Sequence, residues 1–204
     1  MAPLFLDWLA FPKNKSWLDL GCGTGALSEA ILLKSETSHL ACTDPSEAFL
    51  SQAALRLKAA VELKQGSATS IPFAEHHFDI VVSGLALNFF SNVDEALQEI
   101  KRVLKPGGTI AAYVWDYAGK MEFLRLFWDA AIEADPTSRS LDEGIRFPIC
   151  NATVLEKTFL QAGLAKVSTT ALDINTVFND FDDYWLPFLG AQGPAPGYLT
   201  SLKQ

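Results

Sequence analysis

Residues 16–31, SWLDLGCGTGALSEAI, decide the fold. Trp17, Leu18 and Leu20 form the short apolar run of a buried strand, and Gly21, Cys22, Gly23, Thr24 and Gly25 break it at once. Ala26, Leu27, Ala30 and Ile31 then take up helical spacing. Strand, tight turn and helix in this order aim backbone N–H groups and a helix N-terminus at one point, an arrangement suited to a ligand with negative character. Glycine is required there because a side chain would forbid the turn or block the ligand's approach.

Working outward, Leu4, Phe5, Trp8 and Leu9 are expected on one face of an amphipathic N-terminal helix packed beside the glycine turn. Downstream, the pattern predicts strand 39–43, a helix begun by Pro45 and Ser46 with Ala48, Phe49, Ala53, Leu57 and Ala60 inward, and a weak strand 61–64. The run FDIVV at 78–82 is β-branched and continuous, as a central parallel strand should be. Ala96, Leu97, Ile100, Val103 and Leu104 mark the inner face of a helix over 94–104, stopped by Pro106, Gly107 and Gly108 before a strand at 109–114. A helix over 121–134, a loop over 135–150, a helix capped by Asn151 and ending at Gly163, a sixth strand at 164–172 and a short helix near 182–189 complete the expectation. Strands alternating with crossover helices predict an α/β fold: a Rossmann-like, mostly parallel sheet with helices on both faces.

At 204 residues and 49% hydrophobic content the chain can bury a real core, and a single domain over 1–204 is the working expectation. A net charge of -8 argues against a nucleic-acid partner, which would need clustered Lys and Arg; the one basic cluster, Lys101, Arg102 and Lys105, reads as a solvated helix face. Cys22, Cys42 and Cys150 lie far apart with no Cys-x-x-Cys pair, so no disulfide framework and no metal site is expected, and a reducing, cytoplasmic setting fits. No apolar run is long enough for a membrane span. LFLDWLAF carries Asp7 and lacks preceding basic residues, unlike a signal peptide.

In an open parallel sheet the ligand lies beyond the carboxyl ends of the strands. Those ends offer Asp19 with the glycine turn, then Asp44, then Ser67 and Ala68, then Ser83, Gly84 and Leu85. Asp44 lies about 20 residues beyond the glycines, where an acid accepts hydrogen bonds from ribose hydroxyls, so the ligand should contain an adenosine-like half. Gly21, Gly23 and Ala26 would also satisfy a dinucleotide fingerprint.

The ordered set Asp19-Leu20-Gly21-Cys22-Gly23-Thr24-Gly25, Asp44, GSATSIPF at 66–73, FDIVVS and RVLKPGGT at 102–109 closely resembles the class I S-adenosylmethionine-dependent methyltransferases. Within them it is similar to the small-molecule branch of ubiquinone and menaquinone biosynthesis. The resemblance covers roughly residues 4–177 and implies S-adenosylmethionine as cofactor and methyl transfer to a small apolar or aromatic acceptor by in-line displacement. It implies that Gly21, Cys22, Gly23 and Gly25 let the chain pass close to the methionine part, with Asp19 reaching its ammonium. It further implies Asp44 on the ribose, Pro45 against the adenine, Ser67 and Ala68 reading its edge, and Ser83 to Leu85 lining the sulfonium side. In many relatives an Asp takes the place of Ser67.

An activated methyl donor makes a dedicated base optional, and none is evident: His39, His76 and His77 fall away from the carboxyl edge. Asn88, Trp115, Asp116 and Tyr117 stand at the acceptor edge. Phe123, Phe127, Trp128, Phe147, Tyr184, Trp185, Phe188 and Tyr198 could floor an acceptor pocket or form core, the commoner role. A substrate-covering segment is expected around 119–150. Asp182 and Asp183 suit a helix start. Only fifteen residues precede Ser16, which implies a reduced lid, and nothing after Leu199 can supply the family's last antiparallel strand. Either the chain is incomplete at both ends or an exposed sheet edge invites a homo-oligomer. A cofactor-binding or interaction module without turnover and, less favoured, a nicotinamide-dependent oxidoreductase are the competing readings.

Overall fold

The structure is a computed structural model and describes residues 1–58, 61–190 and 193–202. Ala60, expected on the inner face of the second-strand helix, lies outside the described residues. The chain divides into two compact units, Met1–Val114 with Gln161–Leu164, and Trp115–Leu160 with Ala165–Gln204.

The first unit holds α1 (Ala2–Leu9), β1 (Lys15–Leu20), α2 (Ala26–Lys34), β2 (Thr37–Asp44), α3 (Glu47–Leu57), β3 (Glu62–Gln65), β4 (Phe78–Gly84), α4 (Val93–Val103) and β5 (Leu104–Tyr113). The five strands form one sheet in the order β3-β2-β1-β4-β5, and every pairing is parallel. Strand order reverses between β1 and β4, so right-handed crossovers carry α2 and α3 to one face and α4 to the other. The strands that flank this switch point are the most apolar: Trp17, Leu18, Leu20, Phe78, Ile80, Val81 and Val82 are all buried, as a strand covered on both faces demands. Ser46 Oγ accepts from Phe49 N at 3.3 Å and Asn92 Oδ1 accepts from Glu95 N at 3.2 Å, the N-caps that start α3 and α4.

Three expectations are corrected here. In α1 the buried residues are Phe5 and Leu6, while Leu4 and Trp8 are exposed; the helix meets α2, with Asp7 paired to Lys34, and so turns a different face inward. The Pro-Gly-Gly stretch does not precede the fifth strand but interrupts it. Phe78 pairs with Leu104 and Ile80 with Thr109, so β5 spends three extra residues as a bulge, with Gly107 at φ +79. Asp79 fills the space beside this bulge, accepting from Lys105 Nζ and from Ser16 N at 2.9 Å each. Residues 164–172 form no strand and are mostly exposed. The alternation there rests on Val167, Thr169 and Ala171, too small and polar a face to hold a strand against a sheet.

The second unit is helical: α5 (Glu122–Ala134), α6 (Glu143–Arg146), α7 (Ala152–Gln161), α8 (Phe181–Trp185) and α9 (Pro194–Ser201), with short 3-10 segments at Pro136–Leu141, Pro148–Cys150 and Leu186–Leu189. The expected loop over 135–150 is therefore a chain of short helical turns, and α9 was not anticipated at all, its Pro and Gly content masking it. Leu124, Phe127, Trp128, Ala131, Phe188, Ala195 and Tyr198 form this unit's buried core, with Phe127 stacked on Phe188 at 4.7 Å. Of the aromatic set, Phe127, Trp128, Phe188 and Tyr198 are core, Phe123, Tyr184 and Trp185 pack partly buried against it, and Phe147 lies outside that cluster against Tyr117. Arg125 makes a two-pronged ion pair with Asp142 at 2.8 and 2.6 Å, and Trp128 Nε1 donates to Glu143 Oε2 at 2.5 Å. Asp180 caps α8 by accepting from Asp183 N, and Asp183 accepts from Asn179 N, so the acidic pair there does serve a helix start. No helix among the described residues is long and apolar enough to cross a membrane.

Candidate functional site

The carboxyl ends of β1, β2 and β4 converge where the sheet order reverses, and the glycine turn springs from β1 at that point. Gly21 and Cys22 both donate to Thr43 O, at 2.8 and 3.1 Å. Gly23 N donates to Asp44 Oδ2 at 2.9 Å, and Gly25 N to Cys22 O at 2.9 Å. Four amides of the turn are thus already satisfied within the protein. That corrects the first expectation of a turn aiming free N–H groups at an anion: this loop is stitched to β2 and presents its Cα surface instead.

The three glycines differ in what surrounds them. A Cβ on Gly21 would stand 2.6 Å from Ala86 Cβ, and one on Gly25 would stand 3.0 Å from Leu57 Cδ1, so these two allow the chain to pack on itself. A Cβ on Gly23, at φ +53, would meet nothing within 4 Å. Its open face is the place where a ligand can lie against backbone.

Asp19 ends β1 with no solvent exposure. Ser28, one turn into α2, donates to its Oδ2 at 2.5 Å while sitting 2.9 Å from the Cys42 sulfur. Oδ1 has no partner. Burial pushes the Asp19 carboxyl up to about 7, partly offset by the Ser28 hydrogen bonds, with the nearby Asp44 adding a small rise. Contact with Cys22 and burial together push the Cys42 thiol up, so it stays neutral. A buried carboxyl with one bare oxygen is a costly feature unless a donor arrives.

Asp44 is also buried, and each oxygen takes one backbone N–H: Oδ2 from Gly23 and Oδ1 from Ser46 at 2.9 Å. Each oxygen keeps a lone pair for a further donor. Pro45 is exposed beside it and accepts at its carbonyl from Gln65 Nε2. Ser67 and Ala68 lie in the turn after β3; Ser67 Oγ is 3.2 Å from Thr69 Oγ1, and Ser67 O accepts from Ser70 N. At the end of β4, Ser83 is buried with its hydroxyl unpartnered, and Leu85 holds φ +58 with its N–H donated to Tyr113 O at 2.9 Å. A left-handed leucine is a strained residue of the sort that collects at functional edges.

Of the acceptor-edge candidates, Asn88 keeps a buried amide Nδ2 without a partner, and Asp116 accepts from Gly119 N and Lys120 N, closing a turn. The histidines stand at the amino-terminal side of the sheet: His39 pairs with Glu62 at 3.0 Å, His76 meets Leu104 O, and His77 packs on Phe73 and Phe78. Sequence reasoning missed Ser28 and Tyr113. Ser28 was visible as a lone hydroxyl among the inward residues Leu27, Ala30 and Ile31 of α2; Tyr113 was visible only as a large residue on the strand facing Gly84, once the register is known.

The three orphaned polar groups and the open Gly23 face suit an adenosine bearing a cationic amino-acid tail. Residues 18–112 match the family model described as a methyltransferase domain. Over these residues the chain is similar to methyltransferase domains. It is 36% identical to a demethylmenaquinone methyltransferase of Leptospira interrogans, over 51% of this chain and 51% of that protein. It is 30% identical to a malonyl-[acyl-carrier protein] O-methyltransferase of Methylococcus capsulatus, over 66% and 51%. A solved structure from Bacillus halodurans described as a methyltransferase shares the fold at TM-score 0.61 and 23% identity, covering 79% of this chain and 68% of that one. The chain spans about half the length of the curated relatives it matches. S-adenosylmethionine is the cofactor that this similarity implies, and Asp19, Asp44 and the Gly23 surface are chemically fit to hold it.

Proposed function

We propose that this protein transfers the methyl group of S-adenosylmethionine to a small apolar or aromatic acceptor. One observation carries the reading: a fully buried carboxyl, Asp19, offers a bare oxygen beside a glycine turn four of whose amides are already spent. A pyrophosphate would need those amides and would be repelled by the acid, whereas an ammonium needs the acid and no amides. The nicotinamide reading is therefore disfavoured.

In this reading Asp19 Oδ1 takes the ammonium of the cofactor's tail, the Asp44 oxygens take the ribose hydroxyls, and Pro45, Ser67 and Ala68 border the adenine. Gly21, Cys22, Gly23 and Gly25 form the backbone surface under the tail, and Ser83 and Leu85 border the sulfonium. The bound cofactor supplies an activated methyl group, so the protein's work is to align the acceptor with it and keep water out. No side chain is assigned as a base. The segment around 119–150 is proposed to cover the acceptor. A cytoplasmic setting and self-association through a sheet edge belong to the same proposal.

Calorimetric titration with S-adenosylmethionine, S-adenosylhomocysteine and NAD tests the cofactor. A demethylated quinone and a malonyl thioester, the acceptors named for two relatives, then test transfer to ring carbon and to carboxyl oxygen. Tight NAD binding with no affinity for either sulfur nucleoside refutes the proposal; binding without transfer to any acceptor refutes the enzymatic part.

A further inference from the structure

Tyr113 is the last residue of β5 and pairs with Gly84 across the sheet, while Asp19 pairs with Val82. Paired residues of a parallel sheet share a face, and residues two apart share it too, so Asp19, Gly84 and Tyr113 stand in a row at the carboxyl edge. Gly84 leaves the middle of that row empty. The phenol fills it: a Cβ on Gly84 would lie 2.6 Å from the Tyr113 hydroxyl oxygen and 2.8 Å from Cζ. The ring is clamped from the other side by Phe5 at 4.7 Å between centroids. Tyr113 therefore reaches over Gly84 toward Asp19, close enough for the Asp19 charge to bear on its titration.

The hydroxyl held so firmly makes no hydrogen bond to any other described residue. Burial and the Asp19 charge push it up to about 12, so it remains a neutral phenol with a free oxygen lone pair. On the same face Asp19 Oδ1 is likewise bare. Two unpartnered oxygens on one face, an acid and a phenol, can both be satisfied by one group only if that group carries several donors. A primary ammonium, with three N–H bonds and a positive charge, is such a group.

We propose that Tyr113 is the second holding point for the ammonium of the cofactor's amino-acid tail, its phenolic oxygen accepting one N–H while Asp19 Oδ1 accepts another. The inference rests on the S-adenosylmethionine reading of the site. Ser28 fixes which oxygen Asp19 presents, and Phe5 with Gly84 fix where the phenol sits, so both contacts are set before the ligand arrives.

The test compares two ligands on the full chain: S-adenosylhomocysteine, which carries the tail, and 5′-methylthioadenosine, which is the same adenosine thioether without it. Tyr113→Phe keeps the ring against Phe5 and over Gly84 and removes only the oxygen. It is expected to weaken S-adenosylhomocysteine roughly tenfold, as a hydrogen bond to a charged group warrants, and to leave 5′-methylthioadenosine unchanged. Unchanged affinity for both ligands overturns the inference, and so does an equal loss for both, which would mark a packing role. If the unaltered protein binds 5′-methylthioadenosine and the variant comparison cannot be made because S-adenosylhomocysteine gains nothing from its tail, the ammonium site itself is refuted. Failure of the unaltered protein to bind either nucleoside refutes the underlying cofactor reading instead.

Discussion

Gly23→Ala separates binding from folding more cleanly than any other change in the turn. The new Cβ meets no heavy atom within 4 Å, so the protein itself does not resist it. What remains is the left-handed backbone at φ +53, which costs an L-residue roughly 1–2 kcal/mol, offset by about 0.4–1 kcal/mol from a less flexible unfolded chain. The net of about 1 kcal/mol lowers Tm by about 2–4 °C in a chain of this size. Gly107 supplies the control: it too has positive φ and open space, but it lies in the β5 bulge, so Gly107→Ala should cost the same stability and no affinity. Gly21→Ala is the opposite extreme, since its Cβ would stand 2.6 Å from Ala86 Cβ, and overpacking on top of the left-handed cost should remove about 2–4 kcal/mol. The assay is calorimetric titration with S-adenosylhomocysteine beside thermal melting. Gly23→Ala should lose at least tenfold in affinity, about 1.4 kcal/mol, because a methyl group now stands where the ligand lies on the backbone. Unchanged affinity in Gly23→Ala, or an equal loss in Gly107→Ala, refutes the placement of the ligand over Gly23.

Further expectations concern the charges. Asp19 titrates near 7 when folded and near 3.8 when unfolded, so the native state holds a proton that the unfolded chain has lost; the ligand-free protein should therefore lose stability as pH rises from about 4 to 7, by on the order of 4 kcal/mol from this group. Melting curves of Asp19→Asn, which cannot titrate, should lack that slope; an identical pH profile in the two proteins would remove Asp19 as its source. Asp79 behaves oppositely: hydrogen bonds from Ser16 N and Lys105 hold its carboxyl below the usual range, so its contribution is present at neutral pH and lost as pH falls below about 4. Asp142→Ala should destabilise the second unit by roughly 3 kcal/mol in a thermal melt, because the Arg125 guanidinium, only 18% exposed, loses its partner for two hydrogen bonds.

Most of the first unit was legible in the sequence, and in the second unit α5, α7 and α8 were legible while the short turns and α9 were not, for one physical reason. A parallel strand buried on both faces has to be continuously apolar, and the helix that follows has to show a period of 3.6, so Trp17–Leu20, Phe78–Val82 and Ala96–Val103 announced themselves without a neighbour. The segments that were not legible are short and start at proline or aspartate, such as Pro136–Leu141, Pro148–Cys150 and Pro194–Ser201. These depend on packing rather than periodicity, and Phe127 against Phe188 joins residues too far apart in sequence for any local pattern to predict.

The same distinction governs the candidate site. Asp19, Asp44 and Gly23 were visible because each closes a periodic element with a residue the element itself does not need. The partners that make them useful were not, because they are set by register. Ser28 reaches Asp19 only because α2 turns that hydroxyl back onto β1, and Tyr113 reaches over Gly84 only because the bulge at Lys105–Gly108 advances β5 by three residues before it rejoins β4. Were those three residues paired with β4 instead of bulged out, Gly84 would face a different residue of β5, and the phenol would no longer cross toward Asp19. Trimming the three extra residues would leave Ile80 on Thr109 and Tyr113 on Gly84, so that variant should keep its affinity, whereas one residue inserted after Ile110 would carry Tyr113 past Gly84 and should lower S-adenosylhomocysteine affinity even though no residue near Asp19 is altered. If the insertion variant still melts cooperatively and binds S-adenosylhomocysteine with unchanged affinity, the link between the β5 register and the ammonium site is wrong.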